Sequence, residues 1–391
     1  MSSPVPKVAF VSGANGISGH AIVEQLIRKP DSEWSQIVVS SRRQLPNYWA
    51  DPRIDFVPID FMQPVHQNID KLKSICQNVT HVFYTSYAHS DDFKGLPERN
   101  VPLFRGFMDV IDAVCPRLQR VCIYTGGKYY GAHLGKLKAP AEESAPRYQD
   151  DGDNFYYNQE DYLQAVQKRR NVWSWNVVRP TGIIGFTPHA NGMTEALTLA
   201  VYFLICGEIK QTPKFPGNEY IWNGVDDKSY APSIADLAIF VSTHEHCADE
   251  AFNHANGDVF IWKNFWPKIA AYFGLETVEP SFEKVRGNSN TLITELDLVE
   301  WSKDKRDAWS RIVEKYGGKH EVFDWAAWGH LNWGMGRAWS TLLSVNKARK
   351  FGWKRHDDTV EAWINTYKVL ENAEILPRLP FDQRFMSIAD R

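Results

Sequence analysis

The sequence predicts an α/β fold, a Rossmann-type doubly wound parallel sheet with a smaller, mainly helical C-terminal substrate-binding part. Three observations carry that prediction. The first half of the chain alternates short β-rich runs with helical stretches, the first of these runs enters a glycine turn, and after Gly185 the pattern becomes mainly helical. Strands that alternate with helices need crossover connections, and such connections build parallel sheets covered on both faces.

Strands are expected at 8–12, 37–41, 54–59, 81–84, 121–124 and 175–178, and helices at 16–28, 69–77, 103–114 and 157–169. The stretch 131–153, polar and rich in Pro, Ala and Glu, reads as a long loop. A further strand and helix are expected to return to the sheet around 228–246, with 252–260 close by. The resulting division is a nucleotide-binding domain over 1–185, joined by 225–260, and a substrate-binding cap over 186–224 and 261–391. The cap should cover the carboxyl ends of the strands, where open α/β sheets bind ligands.

Residues 7–13 form a buried apolar run that leads into Gly13, Gly16 and Gly19, a GxxGxxG spacing at the first strand-to-helix turn. Glycines there admit the tight turn and the close approach of a pyrophosphate, which the helix N-terminus stabilises. Asn15 and Ile17 lie within the same turn. An NAD enzyme would place Asp or Glu at the end of the second strand. This chain has Ser40-Ser41-Arg42-Arg43, and two guanidinium groups suit a 2′-phosphate, so NADPH/NADP is the expected cofactor. Asp60 and Phe61, just after the third strand, are expected to meet adenine, Asp60 at the exocyclic amine and Phe61 through its backbone.

The chemistry is expected from two segments. One is a strand end that runs into Thr125-Gly126-Gly127-Lys128-Tyr129-Tyr130-Gly131, and the other a helix start at Asn154-Phe155-Tyr156-Tyr157. Behind a dinucleotide-binding N-terminus, Tyr156 reads as a proton donor and Lys128 as its electrostatic tuner. A positive charge nearby would lower the tyrosine pKa from its ordinary value of about 10.

The remaining composition mostly excludes. At 391 residues the chain can bury a large core, and a net charge of −3 without a basic run argues against nucleic-acid binding. Five scattered cysteines without a CxxC fit a reducing compartment rather than a disulfide scaffold or a zinc site, so no metal is expected. His244-Glu245-His246 lacks further ligand spacing and reads as a helix end. The first residues lack the apolar length of a signal peptide, and 196–206 is too short to span a bilayer; a cytoplasmic location and no membrane span are expected. The aromatic residues beyond 260 read mainly as core packing, with some as pocket wall.

The span 121–188 resembles the extended short-chain dehydrogenase/reductases, which pair a Ser-Ser-x-x-x-Tyr-Gly strand end with a Tyr-x-x-x-Lys helix. Two positions depart: Gly126 stands where the serine is usual, and Glu160 where the lysine is usual. A lysine displaced to Lys128 is the signature of the progesterone 5β-reductase/iridoid synthase family, and the sequence resembles a divergent member of it. The matching pieces are the glycine turn, Arg42-Arg43, residues 80–84 and 125–130, Asn154–Tyr157 with Glu160-Asp161, Gly185–Pro188, and 251–266.

That resemblance implies NADPH-dependent 1,4-reduction of an activated C=C bond in a small apolar carbonyl-containing metabolite, an enone or enal, with secondary metabolism as a fitting setting. It also implies that Ser86, Tyr124, Thr125, Tyr156, Ile183, His189, Ala190 and Asn191 touch the cofactor. Tyr87, where plant members carry tryptophan, and Gly182, where they carry asparagine, are expected at the substrate; a glycine there would leave room for a larger or differently oriented group. A homodimer is left open. Three further readings keep the fold: a ketoreductase or alcohol dehydrogenase, a redox-neutral isomerase or cyclase, and a non-catalytic NADP sensor.

Overall fold

The computed structural model describes residues 5–44, 49–90, 93–149, 152, 154–282 and 294–380. Parts of the expected regions, 1–4, 45–48 and 91–92 of the nucleotide-binding domain, 150–151 and 153 of the long loop, and 283–293 and 381–391 of the cap, lie outside the described residues. The chain opens with β1 (Lys7–Ser12), α1 (Ile17–Ile27), β2 (Trp34–Ser41), β3 (Ile54–Pro58), α2 (Val65–Leu72), β4 (His81–Tyr84), α3 (Leu96–Val114), β5 (Arg120–Tyr124), α4 (Phe155–Arg170) and β6 (Ser174–Pro180). The expected strands are all present. Helix α2 starts four residues before its expected place, beside Pro64, whose missing amide costs nothing at a helix start. Helix α3 runs through Pro102 and so begins at Leu96 rather than 103.

Then follow β7 (Ile183–Ile184), α5 (Glu195–Glu208), α6 (Glu219–Asn223), β8 (Val225–Asp226), β9 (Ser229–Tyr230), α7 (Ala231–Thr243), β10 (Glu250–His254) and β11 (Phe260–Ile261). Helices α8 (Trp262–Tyr272), α9 (Leu298–Ser302), α10 (Arg306–Tyr316), α11 (Val322–Trp325), α12 (Trp328–Gly336), α13 (Asn346–Lys350) and α14 (Thr359–Asn372) complete the described chain. The returning strand, β10, comes after helix α7 rather than before it. Residues 229–230 instead pair with β7 outside the main sheet.

Seven parallel strands lie in the order β10-β6-β5-β4-β1-β2-β3. Strand order reverses between β1 and β4, where Phe10 faces Val38 on one side and Val82 on the other. That reversal opens a crevice at the carboxyl edge, the place where doubly wound sheets hold ligands. One face of the sheet packs on α2, α3 and α4 through residues such as Phe104, Phe107 and Leu163. The other packs on α1 and α7 through Ile22, Val23, Ile234 and Ala238. With both faces covered, β5 is buried along its whole length.

The third apolar core joins α5, α8, α10 and α14, and it uses most of the tryptophans. Trp262, Trp266, Trp309 and Trp363 are among the largest fully buried side chains, so these four are core. A fourth cluster, small and aromatic, sits at the carboxyl edge and holds Tyr129, Tyr130, Phe155, Tyr156 and Leu343. Among the described residues no helix is long and apolar enough to cross a membrane.

Candidate active site

The glycine turn is built for close approach. Gly13 has φ +68, and a Cβ there would lie 3.0 Å from the backbone of Thr85 and Ser86; at Gly19 it would lie 2.3 Å from the Gly13 carbonyl. Gly16 N donates to Gly13 O at 2.9 Å, and Gly16 caps α1, so free helix amides face the crevice. Asn15 is tied to the distant turn at 187–191: Thr187 Oγ1 donates to Asn15 O, 3.2 Å, and lies equally close to His189 O. Ile17 touches Gly185, where a Cβ would meet its side chain at 3.1 Å. The structure thus brings Gly13, Asn15, Gly16, Ile17, Gly19, Ser86 and His189 to one place.

The other residues expected at the cofactor lie in different surroundings. Arg42 and Arg43 are exposed just beyond β2, and the His189 pKa is lowered by burial, then by Lys319 and last by Arg43. Tyr124 and Thr125 end β5 with buried hydroxyls that find no partner among the described residues, a feature that fits a ligand bound across the strand ends. Asp60 accepts from Met62 N at 3.0 Å, so one carboxylate oxygen serves a turn. Phe61 is core against Phe107, and its carbonyl abuts Gly106 of α3, where a Cβ would lie only 2.3 Å away. Asn191 accepts from Met193 N, Ala190 is exposed, and Ile183 pairs with Ser229.

Lys128 sits on a single tight turn after β5, and its backbone is held from two sides. Asn154, which caps α4 by accepting from Tyr156 N, donates through Nδ2 to Lys128 O at 2.6 Å. Tyr157 Oη donates to Tyr129 O at 2.5 Å. Asn154 therefore couples the start of the tyrosine helix to the lysine turn, a role readable in hindsight from an Asn placed immediately before an apolar helix start. Around the Lys128 ammonium stand the rings of Tyr87, 5.3 Å, and Phe93, 5.6 Å, and Nζ donates to Tyr87 Oη at 3.2 Å. Among the described residues no carboxylate pairs with it. Burial brings the Lys128 pKa down to about 8.

Tyr156 is 7% exposed at the first turn of α4. The structure corrects the electrostatic expectation for it. Burial, reinforced by Tyr87 and Tyr84, pushes its hydroxyl well above the ordinary tyrosine range, and Lys128 gives its hydrogen bond to Tyr87 instead. With no nearby countercharge, desolvation decides the direction.

The two departures from the usual triad have structural causes. A Cβ at Gly126 would lie 2.9 Å from Pro180 O, so the close approach of β6 excludes a serine; the Tyr156 hydroxyl lies 3.8 Å from that same point. Glu160 turns to Arg179, whose Nη2 donates to both carboxylate oxygens at 2.9 and 3.0 Å. The pair is almost fully buried, and the guanidinium lies 3.4 Å from the centre of the Tyr129 ring, beneath the turn that carries Lys128.

Gly182 requires a second correction. It has φ +51, and a Cβ there would meet Lys228 Cδ at 2.7 Å. The space beside it is filled by Lys228, which is 2% exposed and paired with Glu195 at 3.0 Å and Asp226 at 3.1 Å. The glycine thus makes room for a lysine of the protein rather than for a larger substrate group. Neighbouring Asp227 is pushed up to about 8 by burial and by Asp226.

Sequence reasoning missed the wall opposite Tyr87. Phe93 lies edge-on to His133, 5.4 Å, and to Trp333, 5.5 Å, which stacks with His330 at 5.9 Å. Burial and then the Lys128 charge lower both imidazoles to about 3, so both are neutral donors or acceptors at neutral pH. No local spacing marks this group, because its members come from three separate segments. His244 and His246 face backbone carbonyls of Phe240 and Phe351, and no metal-capable cluster occurs among the described residues.

A glycine-turn nucleotide crevice with a half-buried lysine and a buried tyrosine at the carboxyl edge is the site of a short-chain dehydrogenase/reductase-like oxidoreductase. A family model described as a PRISE-like Rossmann-fold domain matches residues 9–377, and the chain belongs to that family. It is 43% identical to the short chain dehydrogenase gsfE of Penicillium aethiopicum, over 96% of this chain and 100% of that one. It is 31% identical to the (S)-8-oxocitronellyl enol synthase ISY1 of Nepeta cataria, covering 93% and 92%. With the 3-oxo-Delta(4,5)-steroid 5-beta-reductase of Arabidopsis thaliana the identity is 30%, covering 95% and 94%. Among solved structures, Bordetella bronchiseptica WbmG in complex with NAD and UDP aligns with a TM-score of 0.61 at 14% identity, covering 95% and 98%. The Thermotoga maritima UDP-glucose 4-epimerase aligns at 0.63 and 13%, covering 93% and 99%. These two show the fold alone.

Proposed function

We propose that the chain is an NADPH-dependent reductase that performs 1,4-reduction of an activated C=C bond in a small enone or enal. The observation that carries this reading is Lys128, a half-buried cation that no carboxylate pairs with among the described residues, held beside Tyr87 at the carboxyl edge of the sheet, where Tyr156 is also buried. A cation left without a countercharge is suited to negative charge that develops only during reaction. Conjugate hydride addition creates such charge on the carbonyl oxygen. Tyr156, kept neutral by burial, would donate to that oxygen.

The bound dinucleotide would supply the hydride. Arg42 and Arg43, exposed just past β2, would meet its 2′-phosphate, which favours NADPH over NADH. The names of the steroid reductase and the enol synthase relatives agree with carbonyl metabolites as substrates.

The test is turnover of 2-cyclohexen-1-one and of cyclohexanone with NADPH and with NADH, with product identity followed. The expected result is saturated ketone from the enone, NADPH preferred at least about tenfold, and Tyr156→Phe slowed by about 10²-fold or more. Allylic alcohol as the only product would sink the proposal in favour of carbonyl reduction.

A further inference from the structure

Two phenols, not one, converge on the reacting edge. Tyr87 follows β4 and Tyr156 opens α4, yet both pack on the ring of Phe155, at 6.0 and 4.3 Å between centroids. Tyr87 is also close enough to act electrostatically on Tyr156. The Tyr87 oxygen accepts from the Lys128 ammonium at 3.2 Å. A hydroxyl whose oxygen accepts from a cation has its own O–H bond polarised and becomes a stronger donor. Among the described residues nothing accepts the Tyr87 proton, and the Tyr156 hydroxyl makes no hydrogen bond. The site therefore holds two O–H donors whose rings pack on one phenylalanine, one of them backed by a cation.

We infer that Tyr87 is a second catalytic hydroxyl, through which Lys128 acts on the substrate, and that Tyr87 and Tyr156 together bind the developing oxyanion. The inference rests on the enone-reductase reading for its reaction. When the β-carbon of an enone accepts hydride, the C=C pair shifts to the bond between the α-carbon and the carbonyl carbon, and the carbonyl pair moves to oxygen. Tyr87 and Tyr156 donate hydrogen bonds to that enolate oxygen. A proton from solvent then reaches the α-carbon, the carbonyl re-forms, and the products are the saturated carbonyl compound and oxidised cofactor. Each preorganised donor aimed at such an oxygen is associated with a factor of about 10²–10³ in kcat. The lysine's charge reaches the reacting atoms by way of Tyr87 and needs no direct contact with Tyr156.

Tyr87→Phe removes one oxygen and keeps the ring that packs on Phe155, so the fold is retained. Two measurements decide the matter. In the first, 2-cyclohexen-1-one turnover by Tyr87→Phe should show kcat lower by about 10²-fold with KM changed less than about threefold, as expected for a donor used mainly in the transition state. The second needs no turnover: 4-nitrophenol is titrated into the NADP-bound protein, its phenolate oxygen standing in for the enolate, and its ionisation is read from absorbance. Wild-type protein should favour the bound phenolate, and Tyr87→Phe should lose at least about tenfold in phenolate affinity. Wild-type protein that reduces no enone but binds phenolate through Tyr87 would overturn the reaction and leave the donor role standing. Unchanged kcat in Tyr87→Phe, or no phenolate binding that depends on Tyr87, would overturn the inference.

Discussion

Replacing Lys128 with methionine should make the cofactor-free protein more stable at neutral pH while it destroys activity. An ammonium that releases its proton near pH 8, instead of at its ordinary 10.5, is carried by the fold at a cost of about 3 kcal/mol at pH 7, at about 1.4 kcal/mol per pH unit. Partial contact with solvent trims that figure toward about 2. Methionine keeps most of the stem volume against Phe93 and Tyr87 but forfeits the hydrogen bond to Tyr87, a loss of about 1 kcal/mol. The net gain for Lys128→Met is therefore about 1–2 kcal/mol at pH 7.

The sign of the pH dependence follows from proton counting. Between pH 8 and 10.5 the unfolded chain still holds the lysine proton and the folded chain has released it, so wild-type stability rises relative to the variant across that window. Denaturant unfolding of both proteins at pH 7, 8, 9 and 10 measures the difference directly, and other titrating groups cancel in it. The advantage of the variant should shrink steadily above pH 8 and reverse above about 10. A variant less stable than wild type at pH 7, or a difference that stays flat from pH 8 to 10, would refute the claim that burial makes Lys128 costly.

Two further substitutions probe the supports of the site. Glu160→Gln leaves the Arg179 guanidinium buried without its charge partner and should cost about 3–5 kcal/mol in denaturant unfolding. It should also lower kcat, because Arg179 underlies the Lys128 turn. Gly182→Ala places a side chain at φ +51, worth about 1–2 kcal/mol by itself, and drives a Cβ into Lys228. A fall in stability larger than that backbone cost is the expected result of thermal or denaturant melts.

The local turns and strands of this protein were legible in its sequence. Gly13, Gly16 and Gly19 state a turn geometry that depends only on neighbouring backbone, and strand and helix periods show which faces are buried. The six early strands follow from that pattern alone, and so does the placement of Lys128 and Tyr156 at the carboxyl edge. Helix starts were less legible, because Pro64 and Pro102 punctuate differently at a helix start and inside one.

Contacts between segments far apart in the chain were decided only by the tertiary structure. Lys128 and Tyr87 are 41 residues apart, and their hydrogen bond exists because β4 and β5 end side by side. Glu160 meets Arg179 because α4 packs over β6, and Gly182 faces Lys228 because β7 pairs with β9. A sequence records which groups are available. Burial, which sets the pKa of Lys128 and Tyr156, and proximity, which chooses the partner of each charge, arise only when distant strands close into one sheet.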